Sequence, residues 1–329
     1  MHIFFAIASL VFSFFTTWLF RKWAIRKAVL DIPNQRSSHS VPTPRGGGLA
    51  IVVAWYIAIF IFYLTGLIQE NLFFALLSGI VLVILGLLDD LYSLPSIIRL
   101  FVQILVVVAT LYFLNADEIF LTGVASIRMN WLLLVVAGIG LIWFINLFNF
   151  LDGIDGYAGM ESLFILMAIY FFTGNFLMII LSAAVLGFLF WNWQPAKIFM
   201  GDVGSTTLGF FLGVFALYYA GSGSLPLLVF LIISALFWFD ATITILRRFF
   251  NREQLTQAHR KHAYQRIVQS GFSHQKTVLL ALGINCVLFF LSWAAYRYEG
   301  WAYFVFIFTI VFLFIVLKAI DYRKAFRES

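Results

Sequence analysis

Apolar runs of about 20 residues, the length of a membrane-spanning helix, recur along this whole chain of 329 residues. Hydrophobic residues make up 63% of the sequence and charged residues 11%. A soluble domain is about half apolar and about a quarter charged. The sequence therefore predicts an all-α, polytopic integral membrane protein, with residues 1–329 forming a single membrane domain.

The runs predict about 11 transmembrane helices. Their approximate ranges are 2–21, 47–66, 70–88, 97–115, 131–149, 157–173, 176–193, 206–220, 225–246, 277–296 and 301–319. Basic residues follow the first run and none precedes it, which is the reverse of a cleaved secretory signal and favours a periplasmic N-terminus. Of the 21 lysines and arginines, only Arg128 and Arg297 fall outside the segments that this topology places inside. The C-terminus is then cytoplasmic.

The inward connections carry nearly all the unusual polar residues, at about 21–46, 89–96, 150–156, 194–205 and 247–276. We therefore expect these to be the catalytic loops, on the cytoplasmic face. The net charge of +6 needs no nucleic-acid partner, because inside lysines and arginines lie beside anionic lipid headgroups.

Two acidic clusters lie at inner ends of apolar runs. Asp89 and Asp90 are adjacent, with Arg99 near enough in sequence to pair with one of them. Paired carboxylates suit metal binding or proton abstraction, and the alternative is helix-end acids that balance a basic face. The stretch 146–156 has two Asn three apart and two Asp three apart. Such side chains can present oxygen ligands on one helical face, or form an interhelical hydrogen-bond network.

Two turns combine glycine with polar residues. Gly46, Gly47 and Gly48 open the second apolar run, where helix N–H groups favour a phosphate, and Thr43, Arg45, Arg36 and His39 lie in the same loop. The alternative is a tight interfacial loop. In the second turn, Asp202 stands between glycines and could hold a divalent cation, with Phe199 nearby to stack on a base. The alternative there is a plain helix cap.

The last inward loop is basic. His259 and His262 are three apart, so they could share a helical face with Arg260 between them. A phosphate clamp fits this pattern better than a closed zinc site, and the alternative is a basic surface helix. Asp240 lies alone in an apolar run, either as a functional acid or as the partner of a cation on a neighbouring helix.

Hard oxygen ligands in this number suit Mg²⁺, or Mn²⁺, together with phosphates. An active site embedded in the membrane implies a lipid reactant. Metal, phosphate and lipid together point to phosphoryl transfer.

Five segments, in this order, resemble the polyprenyl-phosphate N-acetylhexosamine-1-phosphate transferases (glycosyltransferase family 4). They are 42–48, Asp89-Asp90, 146–156, 199–209 and 259–265, and the resemblance covers about residues 31 to 275. The last segment is most similar to the bacterial branch that starts O-antigen or related surface glycans. Ser93 departs from the pattern, because many members have a third Asp or Asn there.

The resemblance implies that a UDP-N-acetylhexosamine and undecaprenyl phosphate give undecaprenyl-diphosphate-sugar and UMP. It makes Asp202 a ligand of Mg²⁺ with Asn149 as a second ligand. Asp89 would deprotonate or orient the lipid phosphate, with help from Asp90.

The remaining implied contacts are with substrate. Asp152 and Asp155 would bind the nucleotide, and Phe199 would stack on uracil. The diphosphate or sugar would be bound by His259, Arg260 and His262. Phosphate would be contacted by Arg36 and by the turn Thr43–Gly48, which includes Arg45, Gly46 and Gly47. Alternatives are a phospho-N-acetylmuramoyl-pentapeptide transferase or, from another class, a lipid-linked-sugar flippase or transporter. The donor sugar and the oligomeric state, monomer or homodimer, stay open.

Overall fold

The computed structural model describes residues 2–33, 41–255, 257 and 259–326. This part of the chain is mostly helical. Its helices are α1 (His2–Arg26), α2 (Gly48–Leu64), α3 (Glu70–Leu77), α4 (Ile80–Tyr92), α5 (Ser96–Leu114), α6 (Trp131–Leu151), α7 (Tyr157–Thr173), α8 (Leu177–Asn192), α9 (Asp202–Gly221), α10 (Leu227–Ile233), α11 (Ala235–Phe250), α12 (Ala263–Gln269), α13 (His274–Arg297) and α14 (Ala302–Arg323).

Seven helical segments are long and apolar enough to cross a membrane, and α10 with α11 would make an eighth if this pair, bent by 79°, counts as one span. The shorter helices α2, α7 and α8 are also apolar. The chain is thus an all-α, multi-pass membrane protein. Each predicted run coincides with a helix or a helix pair. The total of about 11 crossings and the orientation of the termini stay predictions.

Helix α9 lies at the centre of the bundle. Buried residues make up 83% of its apolar window, against 17% in α1. A helix that is apolar on all sides is stable only when other helices surround it, and α9 packs against α2, α4 and α6. Phe210, Phe211 and Phe215 are completely buried in this packing. The N-terminus of α9 is therefore placed among the ends of its neighbours.

Glycine allows α2 to approach α9 closely. A Cβ atom on Gly48 would lie 2.3 Å from the Cα atom of Gly204, and a Cβ on Gly204 would lie 2.7 Å from the Cα of Gly48. No side chain fits at either position, as in other close helix pairs in membranes. This contact fixes the start of α2 against the first turn of α9.

Two short antiparallel strand pairs interrupt the helices, and the sequence did not predict them. Strand β1 (Leu30–Asp31) pairs with β2 (Thr43–Pro44), and β3 (Glu118–Phe120) pairs with β4 (Ser126–Arg128). Strands of two or three residues are too short to show an alternating pattern. The first pair closes the loop that leads into α2.

Some helices extend beyond the predicted apolar runs. Helix α4 continues through Asp89 and Asp90 to Tyr92, and α9 begins at Asp202 instead of 206. The expectation that these acids lie in loops was wrong, because an apolar run stops at the first charge whereas backbone hydrogen bonding does not. The acids are therefore held on helix ends.

Candidate active site

Three helix ends converge at one end of the bundle and bring together side chains that are far apart in sequence. The last turn of α4 carries Asp89 and Asp90, the last turn of α6 carries Asn149, and the first turn of α9 carries Asp202. Arg99, on the first turn of α5, lies between two of these acids. The sequence placed these acids and Asn149 in one site, and the structure brings them together.

Asp90 caps the N-terminus of α9. Its carboxylate accepts from the backbone N–H of Asp202 at 3.0 Å and from that of Val203 at 3.3 Å. A carboxylate in this place satisfies free helix donors and complements the helix dipole. Arg45 in turn donates to the carbonyl oxygen of Asp90. The structure gives Asp90 a capping role, and its part in catalysis stays a prediction.

Arg99 bridges Asp89 and Asp202. Its Nη1 atom is 2.9 Å from Asp89 Oδ2 and 3.3 Å from Asp202 Oδ2. The second oxygen of Asp89 accepts from the N–H of Leu94 at 2.6 Å. Two negative groups are thus held side by side around one cation.

The two asparagines of α6 have different partners. Asn149 contacts the Asp202 carboxylate and donates to Ser205 Oγ at 3.3 Å, so it lies beside the predicted metal ligand. Asn146, one turn deeper, donates to Gln103 Oε1 at 2.8 Å on α5. A reciprocal amide pair of this kind joins two helices. This pairing gives Asn146 a role in joining α5 and α6.

Asp152 follows α6 and carries the uncommitted carboxylate of the site. Within the described part of the chain, no hydrogen bond or ion pair joins the Asp152 carboxylate to another residue. Although the side chain keeps partial solvent exposure, burial by the surrounding protein and the charges of Asp90 and Asp155 raise the pKa of Asp152 to about 7. It is therefore available to a ligand.

Asp155, by contrast, is occupied. Its carboxylate accepts from the backbone N–H of Ala196 at 3.1 Å and lies 3.3 Å from His274 Nδ1. These bonds tie the turn after α6 to the segment before α9 and to the start of α13. Gly156 makes the turn possible with a φ of +76°, a conformation that favours glycine. Contact of Asp155 with a nucleotide stays a prediction.

The glycine turn before α2 is bonded to the chain segment before α9. Gly47 N–H donates to the Phe199 carbonyl at 2.9 Å, and Gly48 N–H donates to the Met200 carbonyl at 2.8 Å. These two N–H donors are therefore not free to bind a phosphate. The expectation that they would bind a phosphate at this turn was wrong. Thr43 is buried and donates to the Val41 carbonyl. The half-buried Phe199 is held at the site by the same strand-like pairing.

The expected helical face shared by His259 and His262 is not formed, because α12 begins only at Ala263. His262 is buried and its Nδ1 lies 3.7 Å from Asp240 Oδ1. Both carboxylate oxygens of Asp240 accept from the Ala263 N–H, at 2.9 and 3.0 Å. Asp240 therefore caps α12 and lies beside His262, and neither of the two alternatives for this acid is decided by these contacts.

His259 remains near His262, with a distance of 5.0 Å between the two ring centroids. Burial, and the neighbouring side chains of His262, Arg248 and Lys261, lower the pKa of His259 to about 3. The ring is then neutral, and its Nδ1 accepts from the Lys261 N–H at 3.3 Å. This leaves Nε2–H as a donor toward substrate. His259 is thus neutral in the free protein, and its contact with the diphosphate or sugar stays a prediction.

Arg36 and Arg260 are the remaining residues of the predicted set. Arg36, together with His39, lies outside the residues that the structure describes. Arg260 lies in the segment before α12, where its carbonyl accepts from Gln269 Nε2 at 2.7 Å. Contacts of these residues with phosphate or sugar stay predictions.

Several residues of the site were not expected from the sequence. Tyr264 on α12 donates to the Phe150 carbonyl at 3.2 Å, and its hydroxyl would clash with any Cβ on Gly153. This contact joins α12, in the basic loop at about 247–276, to the end of α6. Glu161 is buried in α7 and accepts from Asn285 on α13 at 2.6 Å. A single acid inside an apolar run was the signal that could have identified Glu161.

The acids fit a divalent cation only in part. Among the described residues, no three His, Cys, Asp or Glu side chains form a ready-made metal site. Mg²⁺ is commonly held by one or two carboxylates together with substrate phosphates and water. Asp89 and Asp202, with Asn149 beside them, match this arrangement. The site therefore suits a cation whose coordination a phosphate completes.

The sequence of the chain is similar to those of known membrane transferases. A family model described as glycosyl transferase family 4 matches residues 72–220. The chain is 30% identical to a probable undecaprenyl-phosphate N-acetylglucosaminyl 1-phosphate transferase of Bacillus subtilis (strain 168), over 95% of the chain and 89% of that protein. It is 28% identical to an undecaprenyl-phosphate alpha-N-acetylglucosaminyl 1-phosphate transferase of Thermotoga maritima, over 94% of the chain and 96% of that protein.

A third relative is the phospho-N-acetylmuramoyl-pentapeptide-transferase of Petrotoga mobilis, which is 31% identical over 70% of the chain and 79% of that protein. The matches to the first two relatives extend over almost the whole of both chains. The chain therefore belongs to glycosyl transferase family 4, in the superfamily of polyprenyl-phosphate N-acetylhexosamine-1-phosphate transferases.

Proposed function

We propose that this protein transfers N-acetylhexosamine-1-phosphate from a UDP-sugar to undecaprenyl phosphate, and so makes undecaprenyl-diphosphate-sugar and UMP. The observation that carries the proposal is the meeting of Asp89, Asn149 and Asp202 at one end of a membrane bundle, with the free Asp152 carboxylate close by. The activities named for the Bacillus subtilis and Thermotoga maritima relatives, which match nearly the whole chain, support the same reaction.

The step balances as a phosphoryl transfer. An oxygen of the lipid phosphate attacks the phosphorus that bears the sugar and forms a new P–O–P bond. The bond from that phosphorus to the UMP oxygen breaks, and UMP leaves with the electron pair. A phosphate monoester is a competent nucleophile once its proton is removed, so we favour direct in-line attack over an aspartyl intermediate.

The chain's own residues would position and screen the reactants. Asp202 and Asn149 would hold Mg²⁺, or Mn²⁺, which when bound neutralises phosphate charge. Asp89, which Arg99 joins to Asp202, would share this ion or take the proton of the lipid phosphate. Asp90 keeps Asp202 in place by capping α9. Asp152, with its raised pKa, can accept a proton or a hydrogen bond near neutral pH. His259 would donate from Nε2 to a phosphate or sugar oxygen.

We further propose that the reaction starts O-antigen or a related surface glycan. This rests on the resemblance of the segment His259–Gln265 to that branch of the family. The alternative is the muramoyl-pentapeptide donor, which the Petrotoga mobilis relative brings into consideration. A transporter is less well supported, because Asp240 is occupied as a helix cap and lies beside His262.

The experiment is a turnover assay. Purified protein is incubated with undecaprenyl phosphate, Mg²⁺ and each of several UDP-N-acetylhexosamines and UDP-N-acetylmuramoyl-pentapeptide, and UMP release is followed. We expect UMP with at least one N-acetylhexosamine donor. Release with the muramoyl donor alone would select the alternative, and release with no donor would contradict the proposal.

The matched variants are Asp202→Asn in the site and Asp117→Asn next to the β3–β4 hairpin, where the acid is exposed. Asp202→Asn should lower the rate at least about a hundredfold, since metal stabilisation of phosphate charge contributes several kcal/mol. It should do so while the protein keeps its elution volume and melting temperature. A near-normal rate for Asp202→Asn at low Mg²⁺ would show that the metal assignment is wrong.

A further inference from the structure

Arg99 is the cation that lies between the carboxylates of Asp89 and Asp202. A single nitrogen, Nη1, contacts both Asp89 and Asp202, which belong to different helices. We propose that Arg99 is an internal competitor of the divalent cation: it holds these carboxylates in the metal-free protein and must release them when the cation binds. This inference rests on the metal assignment in the proposed function.

The guanidinium occupies the place where the two acids converge. Asp89 Oδ2 and Asp202 Oδ2, at 2.9 and 3.3 Å from it, are oxygens that a divalent cation shared by the two acids would also use. A guanidinium cannot be deprotonated in a protein, so it leaves only by moving. Occupation by Arg99 and occupation by a divalent cation therefore exclude each other at these oxygens.

The contacts of Arg99 are ones that can be exchanged. Its side chain is 36% exposed, and Asp202 is 29% exposed, so the pair can be reached from solvent. In the part of the chain that the structure describes, the guanidinium makes no hydrogen bond or ion pair except with these two acids. A long, partly exposed arginine held only by ion pairs is weakly fixed, because such pairs contribute little net stability.

The other oxygens of the site do not move with Arg99. Asp89 Oδ1 is fixed by the Leu94 N–H at 2.6 Å, and Asp202 is fixed through the capping of its N–H by Asp90. The Asp89 carboxylate and the backbone of Asp202 therefore keep their places when the arginine leaves, which leaves the two carboxylates next to each other. Without Arg99 they would repel each other, and a divalent cation would relieve that repulsion more strongly than a single positive charge does.

The test measures metal binding without substrate, with Mn²⁺ as the probe and electron paramagnetic resonance to count free ion. The proteins are the wild type, Arg99→Gln, Arg99→Lys and Asp202→Asn, with Arg252→Gln as a control for loss of an arginine elsewhere. Removal of a unit charge adjacent to the site should tighten Mn²⁺ binding roughly tenfold in Arg99→Gln. Arg99→Lys keeps a cation and should lie between that variant and the wild type, while Arg252→Gln should bind as the wild type does.

The outcomes separate this inference from the metal assignment. If Asp202→Asn loses binding while Arg99→Gln binds Mn²⁺ no more tightly than the wild type, the metal site stands and competition by Arg99 is wrong. If neither the wild type nor Arg99→Gln binds Mn²⁺, both the competition and the metal assignment are contradicted. Arg99→Lys gives a second measure that does not depend on how well Arg99→Gln folds.

Discussion

Asp90 illustrates how a residue picked out for chemistry can have a structural task. Its buried carboxylate satisfies two N–H groups of α9, and no other side chain among the described residues accepts from them. We expect Asp90→Ala to lower the free energy of unfolding by about 2 kcal/mol or more, since it removes a cap and leaves buried donors unpaired.

Asp90→Asn keeps one acceptor oxygen and should lose less stability than Asp90→Ala. Thermal unfolding in detergent measures both variants, with Asp202→Asn as the control that leaves the cap intact. An unchanged melting temperature for Asp90→Ala would show that the capping bonds are unimportant.

Asp152 leads to a prediction about pH. Its pKa rises from 3.8 to about 7 on folding, so the folded state retains a proton that the unfolded state has lost between these values. Stability contributed by this group is then present at low pH and falls as pH rises toward 7. Asp152→Asn should therefore raise the melting temperature of the substrate-free protein at about pH 8 more than at about pH 5. An equal rise at both values would contradict the shift.

At the scale of single residues, the motifs could be recognised from the sequence but their partners could not. Asp89, Asn149 and Asp202 carry family-like spacing, and the structure brings them together. The bridge from Arg99 to Asp202 joins residues on different helices, far apart in the chain. No local pattern encodes such a pair, since it depends on how α4, α5 and α9 pack.

Among the elements, α14 holds the basic loop in position. Asp321 accepts two bonds from Arg247, each 2.9 Å long, and one of 2.6 Å from Arg266 on α12. The ring of Phe326 lies close to the same two arginines, at 5.4 and 5.6 Å. The end of α14 thus clamps α12, whose first turn follows His262.

We expect Asp321→Ala to destabilise the protein by about 3 kcal/mol, because it leaves the buried Arg266 without its carboxylate. Turnover should fall as well, because the loop that carries His259 loses its support. Asp321→Glu should keep part of the stability and part of the turnover. Lys318→Gln, one turn earlier on an exposed part of α14, should change neither stability nor turnover. If Asp321→Ala keeps full activity and stability, the clamp has no role.

Helix positions were predictable because a bilayer imposes one length on apolar runs, whereas helix breaks were not. The bend between α10 and α11 follows Ser234, within a run that reads as one continuous span. The break between α3 and α4 at Ser78 and Gly79 is milder, and Glu70–Tyr92 remains one segment that can cross a membrane. Tertiary packing decides such breaks, and hydropathy carries no trace of it.

For the whole molecule, the distribution of basic residues predicts which side of the membrane holds the site. A reporter fused to the C-terminus should read cytoplasmic, and one inserted in the turn of the β3–β4 hairpin should read periplasmic. The hairpin includes Arg128, one of the two basic residues on the predicted outer side. Reporters that read the same side would contradict the predicted topology.

The central claim is that phosphate travels with the sugar. A UDP-N-acetylhexosamine donor labelled only in the phosphate next to the sugar, incubated with undecaprenyl phosphate and this protein, tests it most directly. We predict that the label moves into the lipid fraction, and that a label in the phosphate next to uridine stays in water-soluble UMP. Sugar that enters the lipid without the labelled phosphate, or no transfer of label with any donor, would contradict the account.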